Sequence, residues 1–202
     1  MQPYDIVFLK DVYNELGEEH TKKILSQFSC PLNLDVEGFL FNNAIEFDKQ
    51  GIARTYLVFM KSKTATSLLG YFTLANKNIV VKTNNVSKTL KKRISKFSVF
   101  EKDLRAYRLS APLIAQIGKN YKNGYEKLIS GDELLFMACE RVAAVQELIG
   151  GKIVYLECEN KQPLVSWYQS NGFVTFGSRL LDPDEEQLME GKYLVQMLKY
   201  MK

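Results

Sequence analysis

The sequence predicts an α/β fold, and three stretches carry that prediction. Ile153-Val-Tyr-Leu156 lies in an apolar run that reads as a buried strand, Pro163 can open a helix, and Asn171-Gly172 can close one before Phe173, so the order there is strand, short helix, strand. From Asp132, the residues Leu134, Leu135, Ala138, Val142, Val145, Leu148 and Ile149 recur at three- and four-residue steps, which makes an amphipathic helix stopped by Gly150-Gly151. Thr55–Met60 and Ser67–Ala75 are aromatic and β-branched runs bounded by a Lys/Ser/Thr turn, the pattern of a hairpin.

The remaining elements follow in chain order. Asp5–Leu9 reads as a short strand, and Glu18–Phe28 is polar enough for a surface helix. Cys30-Pro31-Leu-Asn-Leu-Asp35 is a turn before a helix opening at Val36–Leu40, whose apolar stripe continues through Asn43–Phe47 and ends at Gly51. Thr89–Phe97 reads as a basic helix, and Ala111–Gly118 and Gly151–Asn160 as strands.

Composition bounds the function classes. With 202 residues, 46% of them hydrophobic, including twelve Phe and eleven Tyr, the chain buries a substantial core, and we expect one domain over residues 1–202. No apolar run approaches the ~20 residues that span a bilayer. The start Met1-Gln-Pro-Tyr-Asp5 has no basic segment or long apolar stretch, so a cytoplasmic location and no membrane partner are expected. Cys30, Cys139 and Cys158 are widely spaced and His20 is the one histidine, a set that indicates neither a disulfide framework nor a metal site.

Tyr168, Gly172 and Phe173 have the spacing Tyr-x-x-x-Gly-Phe. With the strand before them they resemble the last third of the GNAT N-acetyltransferases. That resemblance implies a mixed, mostly antiparallel sheet splayed between its fourth and fifth strands, with helices on both faces. It also implies acetyl-CoA as acetyl donor and no metal. A further set of fragments, Phe28-Ser-Cys30, Leu34-Asp35, Phe39-Leu40 with Ala44, Ala53–Val58, Gly70–Ala75 and Ala111–Gly118, resembles the toxin-type branch that acetylates aminoacyl-tRNA. The likeness runs from about Phe28 to Leu198. Phe28, Leu34, Phe39 and Leu40 are equally what the core of any amphipathic α/β domain would place there.

The resemblance assigns the cofactor to the start of the helix at Asp132. Unsatisfied N–H groups and a partial positive charge at a helix amino terminus hold a pyrophosphate without dedicated cations. Ile129, Ser130, Gly131 and Asp132 are the candidate residues, with Ser130 as cap and Asn160 contributing from the end of the later strand. The family's Gln/Arg-x-x-Gly-x-Gly/Ala motif is poorly kept, since Glu126 stands at its first position and Ile129 at its middle glycine. Lys119, Lys122 and Lys127 can supply compensating charge.

An amine attacking a thioester needs its partners held close, an oxyanion stabilised and a departing thiolate protonated. In the GNAT pattern the strand groups near Gln116, Ile117 and Gly118 grip the pantetheine, with an N–H around Ile117 as oxyanion donor. Tyr168 is then the general acid, a phenol of pKa about 10 facing the coenzyme A sulfur. Read without the pattern, it is an interior tyrosine packed beside Trp167. Glu157 and Glu159 share one face of their strand and serve either as a route for the amine's proton or as a solvated strand end.

Lys82–Arg108 gathers nine of the chain's basic residues, although the net charge is only +4 with a pI of about 8.8. This inter-strand insertion fits phosphate binding, led by Lys91, Lys92, Arg93 and Lys96, with Phe97, Phe100 and Tyr107 able to stack on bases. A solvated basic helix covering a sheet edge has the same pattern. The GNAT resemblance implies an N-acetyltransferase acting on a primary amine, and the toxin-type resemblance implies the α-amine of aminoacyl-tRNA as acceptor. A protein or small-molecule amine is the alternative acceptor, and a GNAT-shaped binding module without catalysis is the alternative of another class. The implied partners are acetyl-CoA, a tRNA, an antitoxin protein and a second copy in a homodimer.

Overall fold

The computed structural model describes residues 4–61, 66–183 and 191–201. In chain order the elements are β1 (Tyr4–Phe8), α1 (Leu9–Leu16), α2 (Glu18–Leu25), α3 (Leu34–Asn42), α4 (Ala44–Lys49), β2 (Ala53–Lys61), β3 (Thr66–Lys82) and α5 (Lys88–Ile94). β4 (Val99–Glu101), β5 (Ala106–Lys119), α6 (Gly131–Ile149), β6 (Ile153–Glu159), α7 (Gln162–Ser170), β7 (Val174–Leu180) and β8 (Tyr193–Tyr200) follow. The strand order is β1-β2-β3-β5-β6-β8-β7, with β4 pairing onto β5. β5 and β6 pair in parallel; β1–β2, β2–β3, β4–β5, β6–β8 and β7–β8 pair antiparallel.

The chain divides into two compact units, Met1–Ala75 with Ala115–Ala138, and Asn76–Ile114 with Cys139–Lys202. In the first, β1 and β2 pair from Tyr4↔Met60 to Phe8↔Tyr56. β1 stops at Phe8 because Leu9 turns into a fully buried position, where it joins Val12, Leu25, Phe28, Val36, Leu40, Ala44, Leu57 and Tyr71 in one apolar cluster. Contrary to the strand expected over Asp5–Leu9, Leu9 opens a helix rather than ending a strand. Leu9, Val12, Tyr13 and Leu16 have the helical spacing that marks α1. The expected helix through Phe28 ends at Leu25 instead, as α2. Phe28 and Leu40 are core residues, whereas Leu34 is 58% exposed. The β2–β3 hairpin forms, and its turn at residues 62–65 lies outside the described residues.

In the second unit, β6 and β8 pair from Ile153↔Tyr200 to Glu159↔Leu194, and β7 follows β8 with an irregularity between Thr175 and Gly177. Val154, Tyr155, Leu156, Tyr168, Phe173, Phe176, Met197 and Leu198 are buried there. The β5–β6 ladder consists of the pairs Leu113↔Tyr155 and Ile114↔Leu156, at the strands expected to splay. The basic insertion folds as α5, capped by Ser87, whose hydroxyl accepts the Leu90 N–H at 3.2 Å. Among the described residues no helix is long and apolar enough to cross a membrane.

Candidate functional site

The first unit holds the end of β5 that carries Gln116, Ile117 and Gly118. Three pins fix α3 against this strand. Gly118 lacks a side chain where a Cβ would lie 2.6 Å from Val36 Cγ1 and 3.4 Å from Phe28 Cζ, so α3 packs directly on the β5 backbone. The Gln116 side-chain amide donates to Asp35 Oδ2 at 2.8 Å. The fully buried Tyr71 hydroxyl donates to the Val36 carbonyl at 2.5 Å. Burial first, and the Asp35 charge second, push the Tyr71 phenol well above its ordinary range.

Just past β5, the fully buried Asn120 satisfies both ends of its amide. Its Oδ1 accepts the N–H groups of Ser29 and Lys122, each at 3.0 Å, and its Nδ2 donates to the carbonyls of Gln27 and Leu68, each at 2.8 Å. The segment leading from β5 into the loop is therefore rigidly tied.

The start of α6 is a capping box. Ser130 Oγ accepts the Glu133 N–H at 3.1 Å, and Glu133 Oε2 accepts both the N–H and the hydroxyl of Ser130 at 2.8 Å. The Tyr4 hydroxyl adds a bond to Glu133 Oε1 at 3.0 Å. The Ser130 amide, followed by its hydroxyl, holds the Glu133 carboxyl below its usual range. Ser130 is the cap that the sequence suggests, while the Glu133 partner went unassigned, although Ser130-Gly-Asp-Glu133 carries the Ser-x-x-Glu spacing.

Ile129 points into the core at 2% exposure, so its bulk lies away from the loop surface. Of the compensating lysines, Lys119 donates to the Glu126 carbonyl at 2.9 Å and Lys122 to the Ser26 carbonyl at 3.2 Å, while Lys127 is exposed. Gly131 is half-buried and Asp132 exposed at the first turn.

In the second unit the Tyr-x-x-x-Gly-Phe spacing is a helix stop. The Phe173 N–H reaches back to the Tyr168 carbonyl at 3.1 Å and the Gly172 N–H to the Gln169 carbonyl at 2.9 Å, with Gly172 at φ 84°. This is a Schellman motif, and its usual apolar clasp is the Tyr168–Phe173 ring pair, with centroids 5.8 Å apart. Trp167 packs on the same ring at 4.5 Å. Tyr168 is 5% exposed, yet its hydroxyl has no hydrogen-bond partner among the described residues. Burial, followed by the neighbouring Cys158, pushes this phenol upward, and burial pushes the Cys158 thiol to about 11.

Glu157 on β6 is held by Arg179 Nε at 2.6 Å and by Gln196 Nε2 at 2.8 Å. Glu159 is buried beside Lys161 at 3.1 Å, and Asn160 is exposed at the strand end. On and after α5, Lys92, Arg93 and Lys96 are exposed and Lys91 half-buried. The Arg93 guanidinium lies over the Tyr200 ring at 4.8 Å, and Phe97 flanks the same ring at 6.5 Å.

No family model matches the chain, and no curated protein sequence does. Solved structures do match it. A tyrosine-to-phenylalanine mutant of KacT aligns at a TM-score of 0.59 with 16% identity, over 96% of this chain and 94% of that one. AtaT complexed with acetyl-methionyl-tRNAfMet aligns at 0.60 with 13% identity, over 96% and 93%. AtaTR bound with AcCoA aligns at 0.59 with 16% identity, over 97% and 94%. The chain has the GNAT fold. The mixed, mostly antiparallel sheet is consistent with that fold.

Proposed function

We propose that this chain is an acetyl-CoA-dependent N-acetyltransferase whose acceptor is the α-amine of an aminoacyl-tRNA. The observation that carries the proposal is Tyr168, a phenol clamped by its own helix stop, whose hydroxyl has no hydrogen-bond partner among the described residues. End-to-end likeness in fold to AtaT and KacT supports it, as do the structures of AtaT with an acetylated aminoacyl-tRNA and of AtaTR with AcCoA.

The residues of the α6 start suit the pyrophosphate of coenzyme A in part. Ser130 caps the helix, the Ile129 side chain is out of the way, and Lys127 is exposed nearby in sequence, whereas the Glu133 carboxylate opposes an anion. Acetyl-CoA would supply the activated acetyl thioester. Around it, Gln116 and Gly118 would line the acyl arm, and the Ile117 N–H would donate to the thioester oxygen.

Tyr168 would hold a proton for the sulfur. Burial raises its pKa and keeps it protonated, and burial disfavours a thiolate in the same surroundings, as the Cys158 thiol at about 11 illustrates. Glu157, engaged by Arg179 and Gln196, would act as a fixed charge. An α-amine, with its ordinary pKa of about 7.7–8.0, is partly neutral at pH 7 and needs no strong base. Lys91, Lys92 and Lys96 would meet tRNA phosphates, and Arg93 would stiffen that surface from its seat on Tyr200.

A second reading, a catalytically silent binding module, is favoured by the Glu133 carboxylate at the helix start and by the lapsed glycine motif. Transfer of labelled acetyl from acetyl-CoA separates the two. Label on aminoacylated tRNA and none on deacylated tRNA is the expected result. Label on neither, with brisk acetylation of a peptide or free amine, would replace the acceptor, and no acetyl-CoA binding at millimolar concentration would leave the binding module.

A further inference from the structure

An extended strand presents its backbone groups to its two edges alternately, so the register of β5 decides which of its amides meets which edge. Asn120, fully buried just past the strand, fixes that register from one side. Its own N–H donates to the Leu69 carbonyl on β3 at 2.7 Å. Two residues back, the Gly118 carbonyl oxygen faces the same neighbour, since a Cβ on Gly70 would lie 2.7 Å from it and 3.4 Å from Lys119 Cα. Gly118 and Asn120 therefore turn their backbone groups toward β3. Ile117 turns its N–H to the opposite edge, where the ladder has its last pair at Ile114.

A bulge in β3 prepares the attachment. Val58 pairs with Gly70 and Phe59 with Leu68, which leaves Leu69 as the extra residue. Successive carbonyls of a regular strand point to opposite edges, yet those of Leu68 and Leu69 both reach Asn120, the former through Nδ2 at 2.8 Å. Nδ2 also donates to the Gln27 carbonyl, and Oδ1 accepts the Ser29 and Lys122 N–H groups, so the connection after α2 and the loop beyond β5 are held by the same side chain. Its partners are two carbonyls and two N–H groups of the backbone, a set that requires a donor and an acceptor in one amide. Aspartate has no donor to offer the carbonyls. A slip of one residue would put Gln116 or Gly118 in the place of Ile117.

We infer that Asn120 is the positioning residue that locks the register of β5 on the β3 bulge and so aims the Ile117 N–H at the thioester oxygen. The inference rests on the acetyltransferase reading above. Asn120 acts through Ile117 on the acyl donor alone. Its loss weakens polarisation of the carbonyl and leaves acceptor binding untouched.

The test begins with amide hydrogen exchange on the free full chain. The Ile117 amide should exchange at least about 10²-fold faster than those of Gly118 and Asn120, and Asn120→Ser should shrink that difference to less than about tenfold. With acetyl-CoA labelled at its acetyl carbonyl, the infrared band of the bound thioester should lie below that of the free one and return toward it in the variant. The kcat should fall about 10- to 100-fold, short of the ~10²–10³ for outright loss of an oxyanion donor, with acceptor KM unchanged. Because Asn120→Ser strips partners from several backbone groups, Gly70→Ala serves as a second variant. It keeps Asn120, presses on the Gly118 oxygen from β3 and should move the band the same way. Leu25→Ala, a core truncation costing about 2–5 kcal/mol, should lower the urea midpoint and leave the band in place. A wild-type Ile117 amide as protected as Gly118, a band unmoved in the folded variants, or an equal shift in Leu25→Ala would each overturn the inference while acetyl transfer stands. If the unaltered chain transfers acetyl to no amine, the acetyltransferase reading falls and this inference with it.

Discussion

Replacing Tyr168 by Phe separates chemistry from packing more sharply than any other single change in this chain. The ring fills the clasp of the helix stop, packing on Phe173 at 5.8 Å and Trp167 at 4.5 Å, and Phe keeps it. The hydroxyl has no protein partner among the described residues, so deleting it breaks no hydrogen bond, and stability should move by less than about 0.5 kcal/mol. Tyr168→Ala is different, because a buried aromatic of about 150–250 Å² at ~25 cal/mol/Å² is worth about 4–6 kcal/mol as an upper bound, in line with the ~3–5 kcal/mol typical of aromatic truncation. Single-turnover acetyl transfer at saturating acetyl-CoA should slow about 10²–10⁴-fold in the Phe variant, with the dissociation constant for acetyl-CoA nearly unchanged. Turnover at the wild-type rate would show that the tyrosine is only the clasp of the helix stop, and a Phe variant weakened by more than about 1 kcal/mol in urea would show that the hydroxyl has a structural partner.

The same substitution has a signature in pH. Burial and Cys158 raise the folded-state pKa of Tyr168 above its ordinary 10.0, so its contribution to stability is complete below pH 10 and lost as pH climbs toward the raised value. The Phe variant should therefore lose less stability than wild type above pH 10, and Tyr155→Phe, whose phenol is raised first by burial and then by Glu157, should shift in the same direction.

Three other outcomes are expected. Glu133→Gln should cost about 0.5–1 kcal/mol at the α6 start yet tighten acetyl-CoA about fivefold, the ~1 kcal/mol expected between unit charges about 6 Å apart at an effective dielectric of ~60; calorimetry showing weaker binding would refute the pyrophosphate placement. Gly118→Ala should cost about 1–3 kcal/mol in urea unfolding because its Cβ meets the Val36 methyl, and Gly70→Ala should cost more because its Cβ would lie 2.7 Å from the Gly118 carbonyl oxygen, which has no rotamer to change. Reversing Lys91, Lys92 and Lys96 to Glu should flatten the log–log salt slope of tRNA binding by about two to three units, while Arg93→Ala, removing a cation seated on Tyr200, should change that slope by less than one unit; an unchanged slope in the triple variant would move the nucleic-acid surface off α5.

What could be read from the sequence was local. The Tyr-x-x-x-Gly-Phe spacing is legible because it is helix-stop chemistry: the glycine must adopt φ 84°, and Tyr168 and Phe173 stand at the two positions whose backbone groups and rings meet. The α6 helix was legible for a similar reason, since apolar steps of three and four end at a glycine pair. Its capping box is equally legible as Ser130-Gly-Asp-Glu133, whereas the inward turn of Ile129 at the lapsed phosphate motif has no local signal. α1 was missed because the apolar run Ile6-Val-Phe-Leu9 continues across the point where extended pairing with β2 ends at Phe8.

The rest of the site lies beyond any local pattern. Asp35 and Gln116 are 81 residues apart and meet only because Gly118 lets α3 settle onto β5. Sequence alone showed Leu34-Asp35 as a family-like fragment and Gln116 as a stretch of backbone; nothing in either predicted a bond between their side chains. Glu157 shows the opposite case, a carboxylate on a strand end that reads equally as a proton route or a solvated end until Arg179 and Gln196, 22 and 39 residues onward, close on it. A carboxylate's chemistry is decided by its partners, and partners across a sheet follow from register. That is why the charged groups of this chain change meaning between sequence and structure, while its helix stops keep theirs.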